Sequence, residues 1–357
     1  MKQGHQFELT LSRRDGAPLV GDTGQPVGPI PVQVDFEPAR EWARFEVLRA
    51  GDIDCEQASA NSPEPIWDVS QGPPYVHAFS VSVTSNGSSR TIEFPTTYFA
   101  ETARVLSLYF VQKGQLKAGE IFYYVVTSRP LEPVSGAGRP GPSRLSVRRK
   151  TPPLDLRTDK TVEEMMANSQ PYGDPIDEDM PVFVAQDVLD EVARQTRDAG
   201  SLEAGAFLIG YLHRCPVSLR VFLRITDQIP AEHTRQELVK LTFTAETFDA
   251  ARQSLKDRGA NEILAGWAHS HSWLQDTCKD CTKRDQGKCT AKADFFSEDD
   301  VHVHKTAFLK AFSVALVAGN SPYSGLTWAL YGWKLGMIQR RGFYITPDNH
   351  NEQGEKP

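Results

Sequence analysis

The chain has 357 residues, 39% of them hydrophobic, and 39 Lys and Arg against 46 Asp and Glu give a formal charge of −7. An acidic balance gives no support to nucleic-acid binding, which usually needs a basic footprint, and no apolar run reaches membrane-spanning length. Five cysteines, an odd number with three clustered, suit a reducing compartment and metal binding better than a disulfide framework.

The length predicts two domains. The opening Met-Lys-Gln-Gly-His-Gln-Phe-Glu holds no signal-peptide core, so a soluble, cytoplasmic protein is expected, with neither nucleic acid nor membrane as partner. Residues 1–130 read as a β-rich accessory or binding domain. Its expected strands are Phe7–Ser12, Pro31–Phe36, Trp42–Arg49, Val76–Val83, Thr91–Phe94, Val105–Val111 and Ile121–Thr127. Turn chemistry at Asp22-Thr-Gly-Gln, Ser85-Asn-Gly-Ser-Ser and Lys113-Gly-Gln separates them, which predicts a sandwich or open barrel. Cys55, His5 and His77 have no spaced partners, so no catalytic constellation is expected there.

Residues 131–182 read as a linker, rich in Pro and Gly to 153 and polar to acidic beyond. Such density removes backbone donors and resists helix and sheet alike. Arg144, Arg148, Arg149 and Lys150 have no interleaved aromatics and read as solvated linker.

The second domain, 183–345, opens with a helix over Ala185–Ala199, where Val188, Leu189, Val192 and Ala193 keep helical spacing and Gly200 stops it. Strands are expected at Gly205–Gly210, Ser218–Thr226 and Val239–Phe243, then a helix at Ala245–Arg258 ended by Gly259. The apolar run Ile263-Leu-Ala-Gly-Trp-Ala-His-Ser-His reads as a buried strand. Residues i and i+2 of a strand share a face, so His269 and His271 project together. Two neutral imidazoles with a carboxylate are what a zinc ion with an open position needs. Asp300, in Ser297-Glu-Asp-Asp300, can supply that carboxylate, and Glu203 can serve as a general base. Ser297-x-x-Asp300 is also a capping box; capping and metal binding are compatible, because the cap fixes the helix that offers Asp300. That helix is expected over Glu298–Ala311, then strands Ser313–Ala318, Leu326–Tyr331 and Trp333–Arg340, and a polar tail at 346–357.

Glu203, then His269-x-His271, then Ser297-x-x-Asp300 resembles the JAMM metal signature of the JAB/MPN family of zinc isopeptidases, over residues 183–340. The resemblance implies an α/β fold: a JAB/MPN-like, cytidine-deaminase-like mixed sheet flanked by helices, beside the separate β-rich N-terminal domain. It makes His269, His271 and Asp300 ligands of a catalytic Zn²⁺, Glu203 the base that activates its water, and Ser297 the stabiliser of the oxyanion. Two features depart from the family pattern. Residues 272–296 intervene where about seven are usual, and Ser272 and Ala206 stand where Pro and Gly are common.

The inserted segment carries Cys278-Lys-Asp-Cys281 and then Cys289. A Cys-x-x-Cys hairpin with a third thiolate is the usual part of a second, structural Zn²⁺ site, and a short polar loop gains order from such a staple. His302, His304, Asp276 and Asp285 are the candidates for a fourth ligand. The expected activity is zinc-dependent cleavage after the C-terminal tail of a ubiquitin-like protein, as deconjugation or precursor processing. The partners implied are that protein or its conjugates and conjugation-pathway enzymes. The front domain, linker and cysteine-bearing insertion resemble prokaryotic deubiquitinase-like members found in ubiquitin-like conjugation or antiphage systems. The rival readings are an inactive MPN scaffold that binds protein partners, and an amidase or sulfur-carrier processor on the same fold.

Overall fold

The computed structural model describes residues 4–21, 23–51, 58–70, 72–85, 88–131, 154–200, 202–231, 235–237, 240–271, 294–321 and 325–347. The chain divides into two units, Met1–Pro153 and Leu154–Pro357. Among the described residues no helix is long and apolar enough to cross a membrane.

The first unit runs β1 (His5–Arg13), β2 (Ile30–Pro31), α1 (Glu37–Ala50), β3 (Ser59–Ala60), β4 (Glu64–Asp68), β5 (Tyr75–Ser85), β6 (Ser88–Pro95), α2 (Ala100–Gln112) and β7 (Phe122–Pro130). One antiparallel sheet has the order β2-β1-β7, and in the other β5 pairs with β3, β4 and β6. The unit is strand-rich but is no all-strand sandwich or barrel, because two of the expected strands are helices. Trp42–Arg49 lies in α1, which starts with a proline in its first turn and stops at Gly51 in the left-handed conformation. Its buried residues Ala39, Trp42, Ala43, Phe45 and Val47 recur at spacings of three and four, the helical period, not at strict alternation. Val105–Val111 lies in α2, where Ala103, Ser107 and Phe110 are buried at the same spacing. Of the expected strand Pro31–Phe36, Pro31 pairs with Glu8 and the Val32 amide donates to the Phe7 carbonyl at 3.0 Å, while β2 itself spans Ile30–Pro31. In β5 the alternation changes phase at an irregularity opposite Ile66 and Trp67, so Phe79, Val81 and Val83 face the core.

The second unit runs β8 (Leu156–Arg157), α3 (Val162–Ala167), β9 (Gln170–Tyr172), β10 (Val182–Ala185), α4 (Gln186–Ala199), β11 (Gly205–Arg214), β12 (Val221–Pro230), β13 (Arg235–Glu237), β14 (Lys240–Thr242), α5 (Ala245–Arg258), β15 (Ile263–His271), α6 (Glu298–Ala307), β16 (Val314–Ser321), β17 (Gly325–Lys334), β18 (Met337–Arg341) and β19 (Phe343–Thr346). Ten strands form one mixed sheet of order β18-β17-β16-β15-β11-β12-β10-β19-β9, with β8 added along β11. The expected mixed α/β sheet flanked by helices is observed at this level. On one face, α5 and α6 pack over Phe207, Ile209, Trp267 and Ala315. α4 packs across β10, β11, β12, β15 and β16 through Val188, Leu189, Val192 and Ala193.

The linker is shorter than the sequence suggested, since residues 154–182 carry β8, α3, β9 and the start of β10. Each short strand pairs with a distant one: Leu156 with Leu212, Gln170 with Ile345, Val182 with Leu223. No local period announces a two- to four-residue strand whose partner lies far along the chain. The boundary between β17 and β18 also moves. Leu335 and Gly336 both have positive φ, at 50° and 69°, a two-residue hairpin turn that leaves Trp333 in β17.

Candidate metal centre

β15 lies between β11, antiparallel to it, and β16, parallel to it. Flanked on both sides, it is buried from Ala265 to His271, which is why its sequence reads as a continuous apolar run. Gly266 permits the close fit: a Cβ there would lie 1.8 Å from the Val314 carbonyl oxygen. Trp267, His269 and His271 follow at alternate positions. The Trp267 indole stacks face to face on the His269 imidazole, with centroids 4.5 Å apart and planes 15° off parallel. His269 and His271 are 1% and 6% exposed.

α6 supplies the third group. Ser297 is its N-cap in a reciprocal capping box: the Asp300 amide donates to Ser297 Oγ at 3.1 Å, and the Ser297 amide donates to Asp300 Oδ2 at 2.7 Å. The cap holds the carboxylate against the histidines, with Oδ1 3.1 Å from His269 Nε2 and Oδ2 3.4 Å from His271 Nε2. The two Nε2 atoms are 3.1 Å apart. A tetrahedron with arms of 2.0–2.1 Å to nitrogen or oxygen has edges of about 3.3–3.4 Å, so the spacing fits zinc-like coordination. Among the described residues His269, His271 and Asp300 are the group able to hold a metal ion, their ligand atoms all within 4.8 Å of one another.

Their protonation suits a cation. Burial pushes the His269 pKa down, against an upward pull from Asp300. Burial alone would raise the Asp300 carboxyl, but His269, His271 and the Ser297 amide together hold it well below the usual carboxylate range. One shared interaction cannot both charge the ring and leave it neutral; full burial decides for neutral His269 beside ionised Asp300. A neutral His269 ring and an ionised Asp300 carboxylate thus converge with the His271 imidazole on one spot.

Glu203 reaches the same end of the strand through Ser270. The Ser270 amide donates to the Ala204 carbonyl at 2.9 Å, and the Ala204 amide donates to Ser270 Oγ at 2.9 Å. These bonds continue the Gly205–His269 register and bring Glu203, 6% exposed, level with His271. Ser297, expected to act on an oxyanion, uses its oxygen as the cap acceptor, which leaves its hydroxyl proton available.

Several residues around the centre carry no sequence signal. Phe295 stands against His271 at 4.5 Å and is half exposed at 49%. Asp294, 3% exposed, pairs with Arg340 of β18 at 2.9 Å and accepts the Tyr331 hydroxyl on its carbonyl at 3.1 Å. Phe296 stacks on Tyr331 at 4.6 Å. Cys278, Cys281 and Cys289, with Asp276 and Asp285, lie outside the described residues. Of the other proposed ligands for that cluster, His302 is exposed, whereas His304 is wholly buried and accepts the Trp267 indole N–H on Nδ1 at 3.1 Å.

No family model matches the chain, and no curated protein matches it. Among solved structures it is similar to protein DSY2949 from Desulfitobacterium hafniense, determined in solution, at 14% identity and a TM-score of 0.34, over 49% of this chain and 99% of that one.

Proposed function

We propose that the second unit is a zinc-dependent peptidase that cleaves the amide bond after the C-terminal tail of a ubiquitin-like protein. The observation that carries the reading is the buried convergence of His269, His271 and Asp300, held from two sides by a strand and a capped helix. The substrate class rests on the resemblance of these residues, with Glu203 and Ser297, to the JAMM signature.

His269, His271 and Asp300 would hold the ion. When bound, zinc supplies Lewis acidity, making water nucleophilic near neutral pH and drawing charge from a carbonyl oxygen. Glu203 takes a proton from the attacking water and delivers it to the departing amine as the C–N bond breaks and the new C–O bond forms. Ser297, its oxygen already occupied as the cap acceptor, donates its hydroxyl proton to the charge growing on the carbonyl oxygen. Asp300 anchors the helix that carries Ser297, so one capping box positions both a ligand and a donor. The site needs no acyl-enzyme.

The test is cleavage of ubiquitin-like fusions by zinc-loaded protein. Activity that disappears in Glu203→Gln, while zinc content stays at the wild-type level, is the expected result. Zinc-loaded protein inert on every such fusion, with Glu203→Gln no different from wild type in any hydrolytic assay, would contradict the reading.

A further inference from the structure

Metal-bound histidines are normally fixed by a hydrogen bond from the second ring nitrogen to a carboxylate, carbonyl or water. His269 lacks one: its Nδ1 is buried and has no hydrogen-bond partner among the described residues. What fixes this ring instead is the Trp267 face at 4.5 Å. The indole is held in turn. Phe308 lies 5.9 Å away on a nearly parallel plane, at 15°, and the indole N–H donates to His304 Nδ1 at 3.1 Å. An indole nitrogen can only donate, so Nδ1 is the acceptor and His304 carries its proton on Nε2.

His304 lies four residues after Asp300, so both stand on one face of α6, and both are buried, at 0% and 7% exposure. The helix face that delivers Asp300 to the site also delivers the acceptor for Trp267. The strand bearing His269 and the helix bearing Asp300 are thus tied one turn away from the point where their side chains meet at 3.1 Å. Trp333 at 5.3 Å packs His304 from β17, and burial pushes the His304 pKa down to about 3, against a smaller lift from the Ser313 backbone. A neutral acceptor for the indole is therefore built in.

We infer that His304 and Trp267 are positioning residues for the metal centre: their hydrogen bond sets the plane of His269 and its distance from Asp300, taking the place of the usual bond to the second ring nitrogen. This rests on the reading of His269, His271 and Asp300 as metal ligands. The test uses full-length protein stripped of metal and titrated with Co²⁺, reading both the dissociation constant and the visible d–d spectrum. His304→Phe and Trp267→Phe each remove one end of the hydrogen bond while keeping an aromatic ring. Each is expected to weaken Co²⁺ binding roughly 10- to 100-fold and to alter the d–d bands, with the double variant no worse than either single one. His304→Asn, whose side-chain oxygen can stand where Nδ1 stands, is expected to restore most of the affinity. Wild-type affinity and spectrum in both phenylalanine variants would overturn the inference, whatever happens to their thermal stability. Should His304→Phe fail to fold, Trp267→Phe carries the test alone. Wild-type protein that binds no Co²⁺ would fail at the earlier step and remove the metal site itself.

Discussion

Asp300→Asn separates metal binding from folding. The carboxylate is 7% exposed and touches three groups: the Ser297 amide at 2.7 Å and the two Nε2 atoms at 3.1 and 3.4 Å. An asparagine keeps the size, its oxygen can still accept the Ser297 amide, and its NH₂ can donate to a neutral imidazole. With the cap bond and the packing kept, the metal-free variant is expected within about 1 kcal/mol of wild type, the scale of a cap interaction. The difference appears on adding zinc. At free zinc 1,000-fold above the dissociation constant, binding stabilises the wild type by about 4 kcal/mol. For a unit of this size, Leu154–Pro357, that corresponds to a rise in Tm of roughly 8–16 °C, at about 2–4 °C per kcal/mol. The variant, having lost the anionic ligand, is expected to show little of this shift. Calorimetric melts in chelator and in buffered zinc read both quantities. A full zinc shift in Asp300→Asn would refute the assignment of Asp300, and a large loss of stability in chelator would refute the claim that its role is mainly to hold metal.

Other expectations follow from the same contacts. Ser270→Ala removes the acceptor for the half-buried Ala204 amide; it should cost about 0.5–1.5 kcal/mol and lower kcat at unchanged zinc content, because Glu203 loses its tie, as measured by urea melts and steady-state kinetics. Gly266→Ala places a methyl 1.8 Å from the Val314 carbonyl and should destabilise by more than about 4 kcal/mol, visible as lost near-ultraviolet circular dichroism. His213 is wholly buried; burial, aided by Arg224, Arg157 and Lys160 and opposed by Asp159, pushes its pKa down to about 4. The unfolded ring titrates near 6.5 and so binds the proton first. Stability from this residue is therefore complete above about pH 6.5 and lost as pH falls toward 4, at up to about 1.4 kcal/mol per pH unit. His213→Leu should flatten that part of the acid limb in urea midpoints measured against pH.

The sequence spoke clearly where local pattern and tertiary role coincide. β15 begins and ends at the expected residues, Ile263 and His271, because a strand flanked on both sides must be apolar until its functional end. α5 is likewise as expected, Ala245–Arg258, since Thr244 caps it and Gly259 takes the left-handed conformation that ends it. α6 stops at Ala307, one turn before the expected end at Ala311. Trp42 and Phe45 misled in α1, because a bulky apolar run looks alike in a strand and a helix until Pro38 and Gly51 are read as its ends. β10 was hidden by its shortness: four residues, all buried, with no polar position to mark a period. Within the site, His269, His271 and Asp300 stood out as a motif and lie together in the fold, whereas the bonds around them were not legible. Trp267–His304 and Asp294–Arg340 join residues 37 and 46 apart in sequence, and neither pair has a spacing that advertises contact.

The central claim is that His269 and His271 bind zinc, and metal content tests it most directly. Wild type and a His269→Ala/His271→Ala variant, both purified under zinc-replete conditions and freed of loose metal, should differ by one zinc per chain in mass-spectrometric metal analysis. Equal zinc in the two proteins, with the variant folded, would contradict the account.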